Sequence, residues 1–221
     1  MRNFFFLLFC LFFFGIKANA QCSVDAGSDI NISLGGNTQL NAKPGLTELP
    51  VGVSNYLSCV YFFNADTGYI GTNGAGILKT IDGGLNWVQS NATSAIRKII
   101  FTSNNIGYAL GESSNHEGII LKTSNGGLTW ETSLSLPYRS LFSMYFTSNS
   151  TGYVSVQSGK IYKTTNGGLN WTEYSTGSLE TFLSMYFPND SIGFIVSSNG
   201  KIFKTINSGY TWTSCISGLS T

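Results

Sequence analysis

Along most of the chain, short runs of apolar and aromatic residues alternate with clusters of Gly, Ser, Thr, Asn and Asp. That is the pattern of short strands joined by tight turns, and few segments carry a helical period. Residues 141–146 are apolar and aromatic, and the polar cluster 147–151 reads as a turn. Residues 152–156 and 160–164 read as two further strands around the Ser158-Gly159 turn. Asn166-Gly167-Gly168 then turns the chain into a last strand over 169–174. Antiparallel pairing of these runs makes a four-stranded unit.

The unit recurs. Lys79-Thr80-Ile81-Asp82-Gly83-Gly84-Leu85-Asn86-Trp87 returns as Lys122-Thr123-Ser124-Asn125-Gly126-Gly127-Leu128-Thr129-Trp130, then as Lys163-Thr164-Thr165-Asn166-Gly167-Gly168-Leu169-Asn170-Trp171, and last as Lys204-Thr205-Ile206-Asn207-Ser208-Gly209-Tyr210-Thr211-Trp212. The steps from lysine to lysine are 43, 41 and 41 residues. A second block keeps the same register: Phe62, Phe101, Phe146 and Phe187 each stand six residues before Gly68, Gly107, Gly152 and Gly193, which Tyr69, Tyr108, Tyr153 and Phe194 follow. Four strands in about 41 residues fit one propeller blade. The expected fold is all-β, a β-propeller-like array of about four four-stranded antiparallel blades, roughly over 57–94, 95–137, 138–178 and 179–217.

The turn block has a physical logic. Asp82, and Asn125, Asn166 and Asn207 at the equivalent positions, are expected to accept hydrogen bonds from N–H groups two residues on. Gly84, Gly127, Gly168 and Gly209 can take positive φ without a Cβ clash. Thr80, Thr123, Thr164 and Thr205 can bond across the same loop. Trp87, Trp130, Trp171 and Trp212 are expected to start the outgoing strand and to be buried between neighbouring sheets. Lys79, Lys122, Lys163 and Lys204 read as solvent-facing strand residues.

The pattern Thr-x-Asp/Asn-Gly-Gly-x-x-Trp resembles the Asp-box, or bacterial neuraminidase repeat. With the aromatic-Gly-Tyr block, the chain is most similar to the photosystem II stability/assembly factor-like propellers, from about Leu57 to Cys215. The resemblance implies a propeller. The wider Asp-box set also includes sialidases, sortilin-type receptors and exported bacterial proteins, so the fold carries little function with it. Propellers of this family usually have more than four blades, and nothing at the termini resembles a capping element. An open arc or a fragment is therefore expected ahead of a closed four-bladed ring, with self-association as a way to complete it. A closed ring would bring the first and last blades together, which makes Cys59 and Cys215 a candidate disulfide.

The N-terminus adds an expectation of export. Arg2, the apolar run 4–16 and Ala18-Asn19-Ala20 read as a signal peptide over 1–20. The apolar run is shorter than the ~20 residues that span a bilayer. Gln21 stands where a lipoprotein would carry a small residue before Cys22. Residues 21–50 read as an extended segment or linker, resembling the leading part of immunoglobulin-like or PKD-like modules in surface proteins of Bacteroidetes. Residues 51–221 hold the repeats. Cleavage leaves ten basic side chains against eleven acidic ones, a balance that attracts neither nucleic acid nor anionic lipid. The cysteines lie too far apart in sequence for a zinc or redox motif. Neutral Asn at three of four turns offers little to calcium, so no metal or cofactor is expected.

Catalysis finds little to work with. A sialidase clamps its substrate carboxylate with three arginines, whereas the processed chain has only Arg97 and Arg139. The acidic residues are scattered, and the single histidine, His116, lies in a four-residue insertion. The reading that remains is an exported, non-enzymatic propeller-type scaffold that recognises a protein or glycan partner, with Glu112, His116 and Glu117 as partner-contact residues. The alternatives are a glycoside hydrolase-like enzyme and a fragment of a larger adhesin-like surface protein.

Overall fold

Alternating residues of each short strand face opposite sides of its sheet, and in this chain both sides carry apolar side chains, so each sheet needs a neighbour on each side. The computed structural model describes residues 51–215. The expected signal peptide, Cys22 and the 21–50 segment lie outside the described residues.

All described regular structure is β. The first sheet holds β1 (Leu57–Phe62), β2 (Gly68–Thr72), β3 (Ile77–Thr80) and β4 (Val88–Gln89). The second holds β5 (Ala95–Phe101), β6 (Gly107–Glu112), β7 (Glu117–Thr123) and β8 (Glu131–Pro137). The third holds β9 (Leu141–Phe146), β10 (Gly152–Val156), β11 (Lys160–Thr164) and β12 (Thr172–Ser175). The fourth holds β13 (Phe182–Tyr186), β14 (Gly193–Ser197), β15 (Ile202–Thr205) and β16 (Thr213–Cys215). Within each sheet the strands pair antiparallel in chain order. Neighbouring sheets touch mainly through their first two strands, β1 and β2 on β5, β6 on β9, and β9 and β10 on β13. The sheets converge at their first strands and fan out towards their fourth, which is propeller packing. Among the described residues no comparable contact joins the fourth sheet to the first.

The Phe-to-Gly spacing follows from register. Gly68 pairs with Phe62, and Gly152 with Phe146. The phenyl ring folds back over the glycine, so a Cβ on Gly152 would lie 2.4 Å from the Phe146 ring. Any larger residue would evict an aromatic that the neighbouring sheet requires.

The turn block also closes as a unit, with one change from expectation. Asp82 Oδ1 accepts the N–H of Asn86, four residues on, at 2.9 Å, and Asn125, Asn166 and Asn207 do the same for Thr129, Asn170 and Thr211. The reach is longer than the two residues of a simple Asx turn because the threonine takes the inner position. Thr80 Oγ1 accepts from Gly84 N–H at 3.0 Å and donates to Asp82 Oδ1 at 2.7 Å, and the other three units repeat both bonds. Both residues after the Asp or Asn take left-handed φ, including Ser208 at +57°.

The tryptophans stand one residue ahead of the outgoing strands rather than starting them. Trp130 and Trp212 are buried, while Trp87 and Trp171 are half-buried. The outgoing strand of the third sheet begins at Thr172, leaving Leu169 exposed in the turn.

Candidate functional site

The seams between sheets use more of the repeat than the tryptophans. Tyr69 of the first sheet stacks on Phe101 of the second at 4.3 Å between ring centroids. Tyr108 stacks on Phe146 at 3.8 Å, and Tyr153 on Phe187 at 4.1 Å. Trp130, Trp171 and Trp212 meet the same three phenylalanines edge-on. Each tyrosine hydroxyl crosses the seam and donates to a carbonyl in the next turn block: Tyr69 to Gly126 at 2.8 Å, Tyr108 to Gly167 at 3.0 Å and Tyr153 to Ser208 at 2.9 Å. Burial pushes all three phenols up to about 12.

Two of the repeated lysines, Lys79 and Lys163, belong to these seams, which corrects their reading as solvent-facing. Lys79 Nζ donates to Gly126 O at 2.7 Å and Lys163 Nζ to Ser208 O at 2.8 Å. Lys79, Lys122 and Lys163 all lie over the seam tyrosine of their own strand pair, and burial pulls the Lys79 ammonium down. Seam and turn residues are thus committed to structure.

Backbone hydrogen bonds sort the connections into two ends. At one end the turn block bonds to the turn between first and second strands, as Gly83 N–H does to Asp66 O, Gly126 to Asn105, Gly167 to Ser150 and Ser208 to Ser191. At the other end the second-to-third-strand loops bond to the segments leading into first strands, as Asn73 N–H does to Tyr56 O, Gly159 to Glu180 and Ser198 to Thr181. This second end is the candidate recognition surface.

It carries Glu112, His116 and Glu117. Glu112 holds Arg97 at 2.7 Å and His116 Nδ1 at 3.0 Å through its two oxygens, whereas Glu117 turns away and accepts from Ser135 Oγ at 2.6 Å. Two residues that the sequence did not single out dominate the surface: Tyr138, 85% exposed in the linker after β8, and Leu179, 87% exposed in the linker before β13. Tyr138 has φ +55°, and His116 and Ser158 at the same end have +59° and +61°. Tyr138 lies in a turn closed by Arg139 N–H donating to Leu136 O at 3.4 Å, and Gln157 Nε2 adds a bond to Tyr138 O at 3.3 Å. Left-handed conformation at a bulky residue costs on the order of 1–3 kcal/mol and persists only where the surroundings impose it. Near the converging first strands, a cleft of about 420 Å³ opens between Tyr61, Lys98, Ile100, Met144 and Tyr145. Lys98 Nζ donates to Met144 O at 2.9 Å there, and burial lowers its pKa.

One cluster has the composition of a hydrolytic site. Tyr162 donates to Glu173 at 2.5 Å, and Lys160 and Arg139 reach the same carboxylate at 3.0 and 3.4 Å. Tyr162 and Glu173 are displaced away from the roles of tyrosine nucleophile and carboxyl general acid. Burial and the Glu173 charge push the Tyr162 phenol up to about 12, while its hydrogen bonds hold Glu173 below the usual range. A tyrosine nucleophile needs a lowered pKa and a general acid a raised one. Asp82, the other carboxyl displaced from its ordinary value, is also lowered, to about 2, by bonds from Asn86 and Thr80. Among the described residues no cluster of His, Cys, Asp or Glu could hold a metal ion. Cys59 and Cys215 both carry free thiols. Cys59 packs into the seam with the second sheet and Cys215 ends the outermost strand of the fourth, so the pairing that presupposed a closed ring is not formed.

Together these features define an Asp-box propeller array with structural turn blocks at one end and irregular loops at the other. The family model of the photosynthesis system II assembly factor YCF48 matches residues 38–179, and the chain belongs to that family. The structure superposes on YCF48 bound to a D1 peptide with a TM-score of 0.60, at 21% identity over 76% of this chain and 56% of that one. YCF48 from Cyanidioschyzon merolae gives 0.60 at 18% identity, over 79% of this chain and 60% of that one. The GH74 enzyme of Niastella koreensis gives 0.59 at 22% identity, over 72% of this chain and 29% of that one. The chain therefore spans a little over half the length of the YCF48 chains it superposes on. No curated protein matches the sequence.

Proposed function

We propose that the protein is a non-enzymatic, exported propeller module that binds a protein partner through its loop end. The observation that carries the reading is Tyr138, a bulky aromatic held almost fully in solvent in a left-handed conformation, flanked by Leu179 and by the Arg97–Glu112–His116 group. Exposed tyrosine beside arginine is the composition of interface anchors. Membership of the YCF48 family supports a protein rather than a glycan as partner, since one YCF48 is known bound to a D1 peptide. Export rests on the Arg2, apolar and Ala18-Asn19-Ala20 pattern of residues 1–20.

The test is quantitative affinity capture from the source cells with the wild type and with a Tyr138→Ala/Leu179→Ala double variant, followed by measurement of affinity for the retained protein. The expected result is a partner whose affinity falls about 10-fold or more in the variant. A partner held equally by both, or selective binding to glycans on an array, overturns the reading.

A further inference from the structure

Each seam joins unlike faces, the tyrosine face of one sheet and the phenylalanine face of the next. The first strands also reach across the seams, and one seam is closed differently from the other two. One residue before the seam phenylalanine, the first strands carry Tyr61, Ile100, Tyr145 and Tyr186. Tyr61 donates across the first seam to Phe101 O at 3.5 Å, and Tyr145 across the third to Phe187 O at 3.0 Å. In the second seam the same place falls to Ile100, which has neither ring nor hydroxyl and packs among the residues of that seam. Among the described residues no side chain donates to Phe146 O, the carbonyl equivalent to Phe101 O and Phe187 O.

The cleft of about 420 Å³ lies where that phenol is missing, with Ile100, Phe146, Lys98, Thr147, Tyr61 and Tyr145 in its lining. Its volume is that of a small-molecule site, and its walls come from the first three sheets alone. Lys98 is the one cation at its position, where the other first strands carry Cys59, Ser143 and Ser184. Its ammonium reaches Met144 O at 2.9 Å, which leaves further N–H donors. It belongs to none of the ion pairs among the described residues. Thr147 Oγ1 is buried without a partner, a hydroxyl that a ligand oxygen would satisfy. Met144 O and Phe146 O are two residues apart on one strand, hence about 7 Å apart. That is close to the span from hydroxyl to carboxylate in a para-substituted benzoate.

We infer that this cleft binds a small hydroxyaryl carboxylate. The ring takes the place of the missing phenol beside Ile100, and its hydroxyl donates to Phe146 O while accepting from Thr147 Oγ1. The carboxylate accepts from Lys98 Nζ. A tyrosine side chain of a protein partner would bring the ring and the hydroxyl but no charge for Lys98, which favours the free acid. Thr102, Thr147 and Ser148 of the lining follow the first strands into the turns at the turn-block end. The site is therefore separate from Tyr138 and independent of the loop surface.

Isothermal titration calorimetry of the purified chain with 4-hydroxybenzoate is expected to give a Kd of about 1 mM or tighter. Benzoate, without the hydroxyl, and phenol, without the carboxylate, should each bind at least about 5-fold more weakly. Lys98→Met should weaken 4-hydroxybenzoate about 10-fold or more and leave phenol unaffected. Ile100→Tyr rebuilds the closure of the other two seams, and should abolish binding while raising the melting temperature. Circular dichroism confirms the fold of each variant, and Ile100→Phe replaces Ile100→Tyr if the latter does not fold. No heat from 4-hydroxybenzoate at about 10 mM, or an affinity indifferent to both Lys98→Met and Ile100→Tyr, overturns the inference. Equal or tighter binding of N-acetyltyrosine amide overturns it as well, and assigns the cleft to a partner's side chain.

Discussion

At one end of every sheet the chain makes the same turn four times, with the same threonine, Asp or Asn, left-handed pair and tryptophan. At the other end the connections differ from sheet to sheet in length and sequence, and three non-glycine residues sit there in left-handed backbone. The first end is where neighbouring sheets are held together. Tyr and Lys side chains land on its carbonyls, so a change in one unit disturbs two. The second end is also held by side-chain bonds, but these differ from unit to unit, as Glu112 with Arg97 and His116 differs from Glu180 with Asn199 and Lys201. Invariance within the chain therefore reports packing, and the proposed recognition surface lies where the repeat breaks its own pattern.

Substitutions can break or sharpen that contrast. The largest loss is expected for Trp130→Ala, about 3–5 kcal/mol by chemical denaturation, whereas His116→Ala at the loop end should stay within about 0.5 kcal/mol. Equal effects would dissolve the distinction. Gly127→Ala comes next: its Cβ would lie 2.5 Å from Tyr69 Cε1 at a φ of +77°, for a loss of about 2 kcal/mol in the same measurement. Ser208→Gly and Tyr138→Gly both relieve left-handed strain. Each should raise the melting temperature by the equivalent of a few tenths to about 1 kcal/mol, the gain being reduced by the entropy of the glycine variant's unfolded chain. Only Tyr138→Gly should also weaken partner binding.

The smallest effect concerns pH. Asp82 is held at about 2, below its ordinary 3.8, by Asn86 and Thr80. Its stabilising contribution is complete above about pH 4 and is lost as the pH falls towards 2. Unfolding followed across that window should show a slightly shallower acid loss for Asp82→Asn, because the other three turns already carry the neutral residue.

Much of the fold was legible because its signals are local. Glycine pairs, Asn turns and alternating strands show their period directly, and the four sheets lie within the runs that predicted them. The seam chemistry was not legible. A lysine on a strand looks the same whether its ammonium meets water or, as at Lys163, a carbonyl 45 residues away in the next sheet. The loop end was half legible: the insertion marked Glu112, His116 and Glu117. Leu136-Pro137-Tyr138-Arg139 carries the proline of a turn at its second position, but the left-handed third position is usually glycine, so nothing singled out the tyrosine that fills it.

Because every seam joins the same two unlike faces, the array has a direction, as a zip fastener does. A copied segment of about 41 residues, inserted between any two sheets by gene duplication, arrives with both its joints already matched to its neighbours. Family members can therefore differ in the number of sheets without new interfaces having to evolve, while their loops diverge towards different partners.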